Sequence, residues 1–368
     1  MKALALTPGT TDLKLIDRDV PKISSPTQII VKMLEVGICG TDREEAAGGR
    51  ADAPTGQTEL VIGHEMFGQV TEIGSGVKSA KVGDYGVFMV RRPCGKCSAC
   101  AARRSDMCLT GDYTERGIKM ADGFQQEFVI DDEAYFVKVP ENIKHLGVLT
   151  EPTSVGAKAI DEAVRIQAAR IPSTNINNYL QGKKTLVVGI GPIGLLGALI
   201  LRLKGANVYG MDIQDEATIR PSVLKSMGGT YIDGRTVKAS DLDDKFGEFD
   251  FIFEATGVAQ LEFDLIDALG INGVYVLTGI PSGNRPVTMD AAGLMLQVVL
   301  KNQVVVGSVN ASYQHYEDSV AYLAEGFKLY PDALNKIITD RHDYTAFADA
   351  LAHHTSDEIK CVLTWAKN

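Results

Sequence analysis

The apolar positions of this chain repeat with two different periods, and the change from one to the other divides it. As far as residue 140 they fall in short β-rich or alternating runs with Gly and Pro between them. These are Lys2–Leu6, Gln28–Val36, Met66–Ile73, Tyr85–Val90, Glu127–Ile130 and Tyr135–Val139, and they predict an irregular antiparallel β domain. From Glu151 to Arg170 the period lengthens, with Val155, Ala159, Ile160, Ala163 and Ile166 on one helical face. The polar stretch Pro172–Asn178 reads as a domain boundary. Beyond Thr185, strand-like runs alternate with helical ones, at Leu186–Gly189, Val208–Met211, Thr230–Ile232, Phe251–Glu254, Val274–Thr278 and Val304–Ser308. Six strands with crossovers predict a doubly wound parallel sheet with helices on both faces, hence an α/β fold. After Asn310 the pattern returns to helix and loop and ends in a strand-like Lys360–Trp365. The 368 residues exceed the ~250–300 at which single cores stop growing, so two domains are expected.

The most informative stretch is Lys184–Asp212. A buried strand at Thr185–Val188 runs into Gly189, Gly191 and Gly194, a G-x-G-x-x-G; a helix is predicted over Leu195–Lys204, and a second strand ends on Asp212. Glycines alone often mark only turns. In this order they let the backbone approach a pyrophosphate, which the helix N-terminus then binds, and Asp212 stands where an acid accepts from the adenosine ribose. Gly189, Gly191, Pro192, Ile193, Gly194, Asp212, Thr256 and Thr278 are the expected cofactor contacts. Asp212, followed by Ile213 and Gln214 and not by Arg, predicts NAD over NADP.

Four of the six cysteines crowd into Cys94, Cys97, Cys100 and Cys108, C-x2-C-x2-C-x7-C. That spacing suits a closed, structural zinc site. A chance thiol cluster or a nucleic-acid zinc ribbon would share it, and the net charge of −10 weighs against nucleic acid or an anionic membrane as partner. A second donor set is dispersed: Cys39 in GICGTD, His64 and Glu65 in GHE, and Glu151 in TEP. A thiolate, an imidazole and a carboxylate with one open position suit a catalytic zinc; singly they read as a core cysteine, a satisfied histidine and a helix-start carboxylate. No leader is read, since Pro8 soon interrupts the apolar start, and no run reaches the ~18–20 residues of a membrane span. A cytoplasmic protein is expected.

GICGTD, GHE, the four-cysteine loop, TEP and the glycine-rich turn, in this order, resemble the zinc-containing medium-chain alcohol/polyol dehydrogenase superfamily over essentially the whole length. Within it the chain is similar to the archaeal-type glucose (aldose 1-) dehydrogenases, on VRRPCGKC, GDYTERGI with Glu115, EATG and VGSVNASYQHYEDSV. The resemblance implies a GroES-like catalytic domain from 1–180 and 310–368, a six-stranded Rossmann NAD-binding domain at 181–309, and an active site in the cleft between them. It implies two zinc ions per chain. Cys39, His64 and Glu151 match the catalytic ligands, with Glu65 as an alternating ligand, and Thr41 matches the hydroxyl that hands off the substrate proton. Glu115 and Asn310 match groups that hold sugar hydroxyls. Val90 and Leu300 depart from the family pattern, each standing where a polar residue is expected.

The reading that follows is hydride transfer from C1 of an aldose to NAD, giving the aldonolactone. Its alternatives are an NAD-dependent polyol or secondary-alcohol dehydrogenase and a non-catalytic zinc-stabilised nucleotide binder. Assembly into a dimer or tetramer is expected, with Val304–Val309 as an edge strand. His145, His315, His342, His353 and His354 are expected on the surface or in helices, and Cys361 in the core.

Overall fold

The computed structural model describes residues 1–281, 286–352 and 355–366. It divides into two compact units, one of Met1–Ser154, Asn310–Ala324 and Ile338–Asn368, the other of Val155–Val309 and Glu325–Ile337.

The first unit is built on the strand Gln28–Ile38, whose apolar run is buried along nearly its whole length. It pairs antiparallel with Glu65–Ile73, with Phe128–Asp132 and with Lys360–Thr364. The sheet continues through Tyr85–Phe88 and Phe136–Lys138 at one side and Ile338–Asp343 at the other, seven strands in all. The domain is not purely antiparallel. Ile338–Asp343 and Lys360–Thr364 are parallel, with the helix Phe347–Ala352 between them in the chain, as a parallel pair requires. Short strands at Arg91–Arg92, Thr114–Arg116 and Met120–Ala121 lack the length to show a period and went unpredicted, as did the five-residue Leu13–Asp17, which is only partly buried.

In the second unit the six strands lie in the order Thr230–Asp233, Asn207–Asp212, Lys184–Val188, Phe249–Glu254, Leu269–Leu277, Val304–Gly307, all parallel. The strand order reverses beside Lys184–Val188, the position at which doubly wound sheets bind ligands. Leu186, Val188, Phe249, Ile252, Leu269 and Tyr275 form part of a wholly buried core on this sheet. The helix after the glycine turn begins at Pro192, not Leu195: Gly191 is its N-cap, and proline, lacking an N–H, fits the first turn.

The units part at Ser154/Val155, inside the helix Thr150–Arg170, and not at residue 180. Small residues are the reason. A Cβ on Gly156 would lie only 3.4 Å from Gly197 of the helix Pro192–Leu203, so those helices pack backbone to backbone. Glu325–Ile337 joins the same unit, with Gly326 against Leu199.

His315 is in a helix but is buried, its Nδ1 accepting the Ser312 N–H at 3.1 Å. His353 and His354 lie outside the described residues, and Cys361 is buried. Among the described residues no helix is long and apolar enough to cross a membrane.

Candidate active site

Cys39 ends the strand run and caps the helix Gly40–Ala46, its sulfur accepting the Thr41 N–H at 3.2 Å. His64 immediately precedes the strand Glu65–Ile73, which Glu65 opens. The fold brings Cys39 Sγ to 2.9 Å from His64 Nε2, and the donor atoms of Cys39, His64 and Glu65 all lie within 4.8 Å of one another. Glu65 fits because its cross-strand partner is Gly37, where a Cβ would stand 2.0 Å from Glu65 Oε2. Glu151 is buried nearby but outside that close set; burial pushes its carboxyl up to about 7. The Thr41 hydroxyl has no hydrogen-bond partner among the described residues.

Two residues here were not singled out by sequence reasoning. Asp42 accepts the Cys39 N–H through Oδ2 at 2.8 Å, and its Oδ1 faces His64 Nδ1 at 3.6 Å, beyond hydrogen-bond range. The Cys-x-x-Asp spacing of a capping box was a legible signal for it. Lys360 arrives from the far end of the chain and donates to both oxygens of Glu65 at 2.7 Å and to the Ile38 carbonyl at 3.1 Å. No local pattern marks it.

The donor chemistry suits a dication. Asp42, Glu45, Glu65 and Glu151 are all buried around one imidazole and one ammonium. Burial raises the carboxyls of Asp42 and Glu45, the latter to about 9, and neither Glu45 oxygen has a hydrogen-bond partner among the described residues. Thiolate, imidazole and carboxylate on one point are zinc ligands.

Cys94, Cys97, Cys100 and Cys108 also converge, their sulfurs within 4.8 Å of one another. Backbone N–H groups of Lys96 and Cys100 point at Cys94 and Cys97. The Thr110 hydroxyl and the Lys96 amide bring Cys94 down to about 6, while burial pushes Cys100 up to about 12. Four sulfurs, joined in that close set by no His, Asp or Glu among the described residues, fit a closed zinc site.

In the second unit Gly189 adopts φ +83°, and a Cβ on Gly194 would lie 1.8 Å from the Gly189 carbonyl, so neither tolerates a side chain. A Cβ on Gly191 would enter open space, and the Pro192–Leu203 N-terminus has no side-chain cap. Both features fit a pyrophosphate. Asp212 ends its strand and accepts the Ile190 N–H at 2.9 Å and the Ile213 N–H at 2.7 Å, one per oxygen. Thr256 and Thr278 sit at neighbouring strand ends, but both hydroxyls are held by Glu254. Its carboxylate takes Thr256 Oγ1 at 2.5 Å and its carbonyl takes Thr278 Oγ1 at 2.6 Å. The same buried carboxylate accepts the N–H groups of Gly257 and Gly279, so it organises both loops.

Glu115 and Asn310, distant in sequence, meet in the first unit: Asn310 Nδ2 donates to Glu115 Oε1 at 2.7 Å. Tyr316, wholly buried, accepts the Val90 N–H at 3.2 Å.

Residues 144–365 match the family model for the glucose dehydrogenase C-terminus, and residues 25–141 match that for the alcohol dehydrogenase GroES-like domain. A GroES-like domain joined to a Rossmann-type sheet is the architecture of the medium-chain zinc dehydrogenases, and this chain belongs to their glucose dehydrogenase family. Glucose 1-dehydrogenase 2 of Vulcanisaeta moutnovskia is 38% identical over 365 residues, 99% of either chain. Glucose 1-dehydrogenase of Thermoproteus tenax is 36% identical over 370 residues, again 99% of each. The structure of Haloferax mediterranei glucose dehydrogenase in complex with NADP, Zn and gluconolactone matches with a TM-score of 0.89 at 31% identity, covering 100% of both chains.

Proposed function

We propose that the protein oxidises an aldose, glucose or a close relative, at C1 to the aldonolactone, with NAD as the preferred acceptor. The observation that carries this reading is the Cys39–His64–Glu65 donor set in a chain that matches glucose 1-dehydrogenases over 99% of its length. Cys39, His64, Glu65 and Glu151 would hold a catalytic zinc, and Cys94, Cys97, Cys100 and Cys108 a structural one. When bound, the catalytic zinc supplies Lewis acidity at the sugar C1 oxygen and the nicotinamide accepts the C1 hydride.

The protein's own residues do the rest. Thr41 takes the C1 hydroxyl proton and passes it outward. Asp42 holds the Cys39 backbone in place and Lys360 orients Glu65. Glu115 and Asn310 hold sugar hydroxyls, which distinguishes a polyhydroxylated substrate from a simple alcohol. Gly189, Gly191, Pro192, Ile193 and Gly194 cradle the pyrophosphate, and Asp212 keeps lone pairs for the ribose hydroxyls. A 2′-phosphate would face Asp212, Asp215 and Asp233, and Arg235 is already paired with the last two at 3.3 and 2.6 Å. The Haloferax relative was solved with NADP, so the NAD preference is proposed for this chain's own ribose end.

A second copy of the chain is the proposed assembly partner. The helix Ala291–Leu300 buries none of its residues: Met295, Leu296, Val299 and Leu300 are all more than half exposed, beside the edge strand Val304–Gly307. Sedimentation should give a dimer or tetramer, and Val299→Lys should dissociate it.

Initial rates with aldoses, polyols and simple alcohols, each with NAD and NADP, test the function. Aldoses should give the highest kcat/KM. Turnover confined to polyols or secondary alcohols would overturn the sugar reading.

A further inference from the structure

Arg91 and Arg92 form a two-residue strand antiparallel to Thr114–Arg116, with Arg91 opposite Glu115. Successive side chains on a strand point to opposite faces, and the two arginines do different work. Arg92 turns to Asp131 and the Met89 carbonyl. Arg91, 4% exposed, turns to Glu115 and to the four-cysteine loop.

Its contacts are unequal in a way that has a use. Nε and Nη2 both donate to a single oxygen, Glu115 Oε1, at 3.1 and 2.9 Å. Nη1 donates to the Asp106 carbonyl at 2.9 Å, in the turn Ser105–Met107 that leads directly into Cys108. The guanidinium lies 3.7 Å from the centre of the Tyr113 ring. Glu115 Oε1 accepts a third bond from Asn310. Oε2 takes none from the described residues. The usual arginine–carboxylate fork uses both oxygens; here one oxygen carries all the load, which fixes the rotation of the carboxylate and leaves the other unencumbered.

We propose that Arg91 is a positioning residue for the sugar: it ties Glu115 to the four-cysteine loop so that Oε2 is presented to a substrate hydroxyl. This rests on the reading of Glu115 as a sugar contact. Lysine cannot replace it, because one ammonium cannot span the Glu115 carboxylate and the Asp106 carbonyl while stacking on Tyr113. Were Arg91 only an anchor for the loop, its loss would lower stability and zinc content without separating sugar from cofactor binding.

The test is steady-state kinetics on the zinc-loaded enzyme for Arg91→Met, Arg91→Lys, Glu115→Ala and the double variant Arg91→Met/Glu115→Ala, with zinc content measured for each. The sugar KM should rise roughly tenfold to a hundredfold in Arg91→Met, the range for small misplacements of a positioning group. Arg91→Lys should show a smaller rise, and the cofactor KM should stay unchanged in both. The double variant should match Glu115→Ala alone, because Arg91 acts through Glu115. If Arg91→Met fails to fold, Arg91→Lys carries the test. A raised sugar KM in Glu115→Ala with wild-type values in the Arg91 variants overturns the proposal alone, as do multiplying effects in the double variant. Wild-type sugar kinetics in Glu115→Ala overturns the sugar-contact reading itself, and the proposal with it.

Discussion

Replacing Lys360 by Met removes one charge from a place where its partner has no access to water. The two side chains are each 2% exposed, and the ammonium stands 2.7 Å from both oxygens of Glu65. Met keeps most of the aliphatic volume, so the perturbation is chiefly electrostatic. Charges ~3 Å apart attract by about 5–6 kcal/mol at an effective dielectric near 20, but most of that offsets their desolvation. What remains on removing one partner from a buried pair is ~3–5 kcal/mol. The Ile38 carbonyl also loses its Nζ donor, about 1 kcal/mol more. A cost of ~4 kcal/mol or above is a large part of the ~5–15 kcal/mol that holds a native domain. Glu65→Gln should cost a similar amount for the mirror-image reason. Lys360→Met with Glu65→Gln strands no charge, so it should cost less than the sum of the two by at least ~2 kcal/mol. The chain has a single tryptophan, Trp365, just beyond the strand that carries Lys360. It stacks on Tyr344 at 4.5 Å and donates to Gln125, so its fluorescence during urea unfolding reports this unit. All three variants should lose turnover. A cost below ~1 kcal/mol for Lys360→Met, or strict additivity in the double variant, would refute the argument, since neither fits a desolvated pair.

The two donor sets should separate on mutation: Cys97→Ser should lower the melting temperature while the folded fraction keeps its kcat, and Cys39→Ser should abolish turnover with little change in melting. Zinc content and melting curves check this, and the reverse pattern refutes it. Wild-type enzyme should favour NAD over NADP by at least ~10-fold in kcat/KM, since like charges a few ångströms apart repel by ~1–4 kcal/mol. Asp212→Asn with Ile213→Arg should narrow or reverse that ratio, and an unmoved ratio shows that Asp212 is not the selector. Burial pushes the Asp131 carboxyl up, but the Arg92 and Arg116 guanidiniums outweigh it and hold it at about 2. A depressed carboxyl stabilises above its unfolded pKa, so ~2–3 kcal/mol should be present at pH 7 and lost as pH falls from about 4 towards 2. The stability gap between wild type and Asp131→Asn in urea should shrink over that range; a constant gap refutes the assignment.

The second unit was the more legible part of the chain because its fold is written locally. Most strands of the parallel sheet carry a short apolar, β-rich run, and all six were placed, most with ends differing by a residue or two. Leu269–Leu277 was the exception, beginning five residues before the predicted Val274, where Ile271 and Asn272 are exposed and break the run. The first unit depends on pairings that no window shows. Arg91 and Glu115 are cross-strand partners on strands of two and three residues, too short for any period. Cys39, His64 and Glu65 were legible from the motifs around them, but Lys360 belongs to the set only because its strand pairs with Gln28–Ile38 from far along the chain. Thr256 and Thr278 show the converse: their positions at strand ends were predicted, but not the buried Glu254 that holds both hydroxyls.

That late strand also sets an order of events during synthesis. The parallel sheet of the second unit uses residues 184–307 and can form as soon as they emerge. The first sheet cannot close then: along Glu35–Ile38 the central strand lacks a neighbour on one side until Lys360–Thr364 is made. Glu65 likewise waits 295 residues for its ammonium. Through that interval the nascent chain carries an open apolar strand edge, the kind of surface that templates aggregation. The buried carboxylates around His64 meanwhile lack Lys360. A truncation before residue 360 should therefore yield a second unit that still folds beside a first unit that neither closes nor binds zinc, so the proposed catalytic centre is among the last parts of the molecule to come into being.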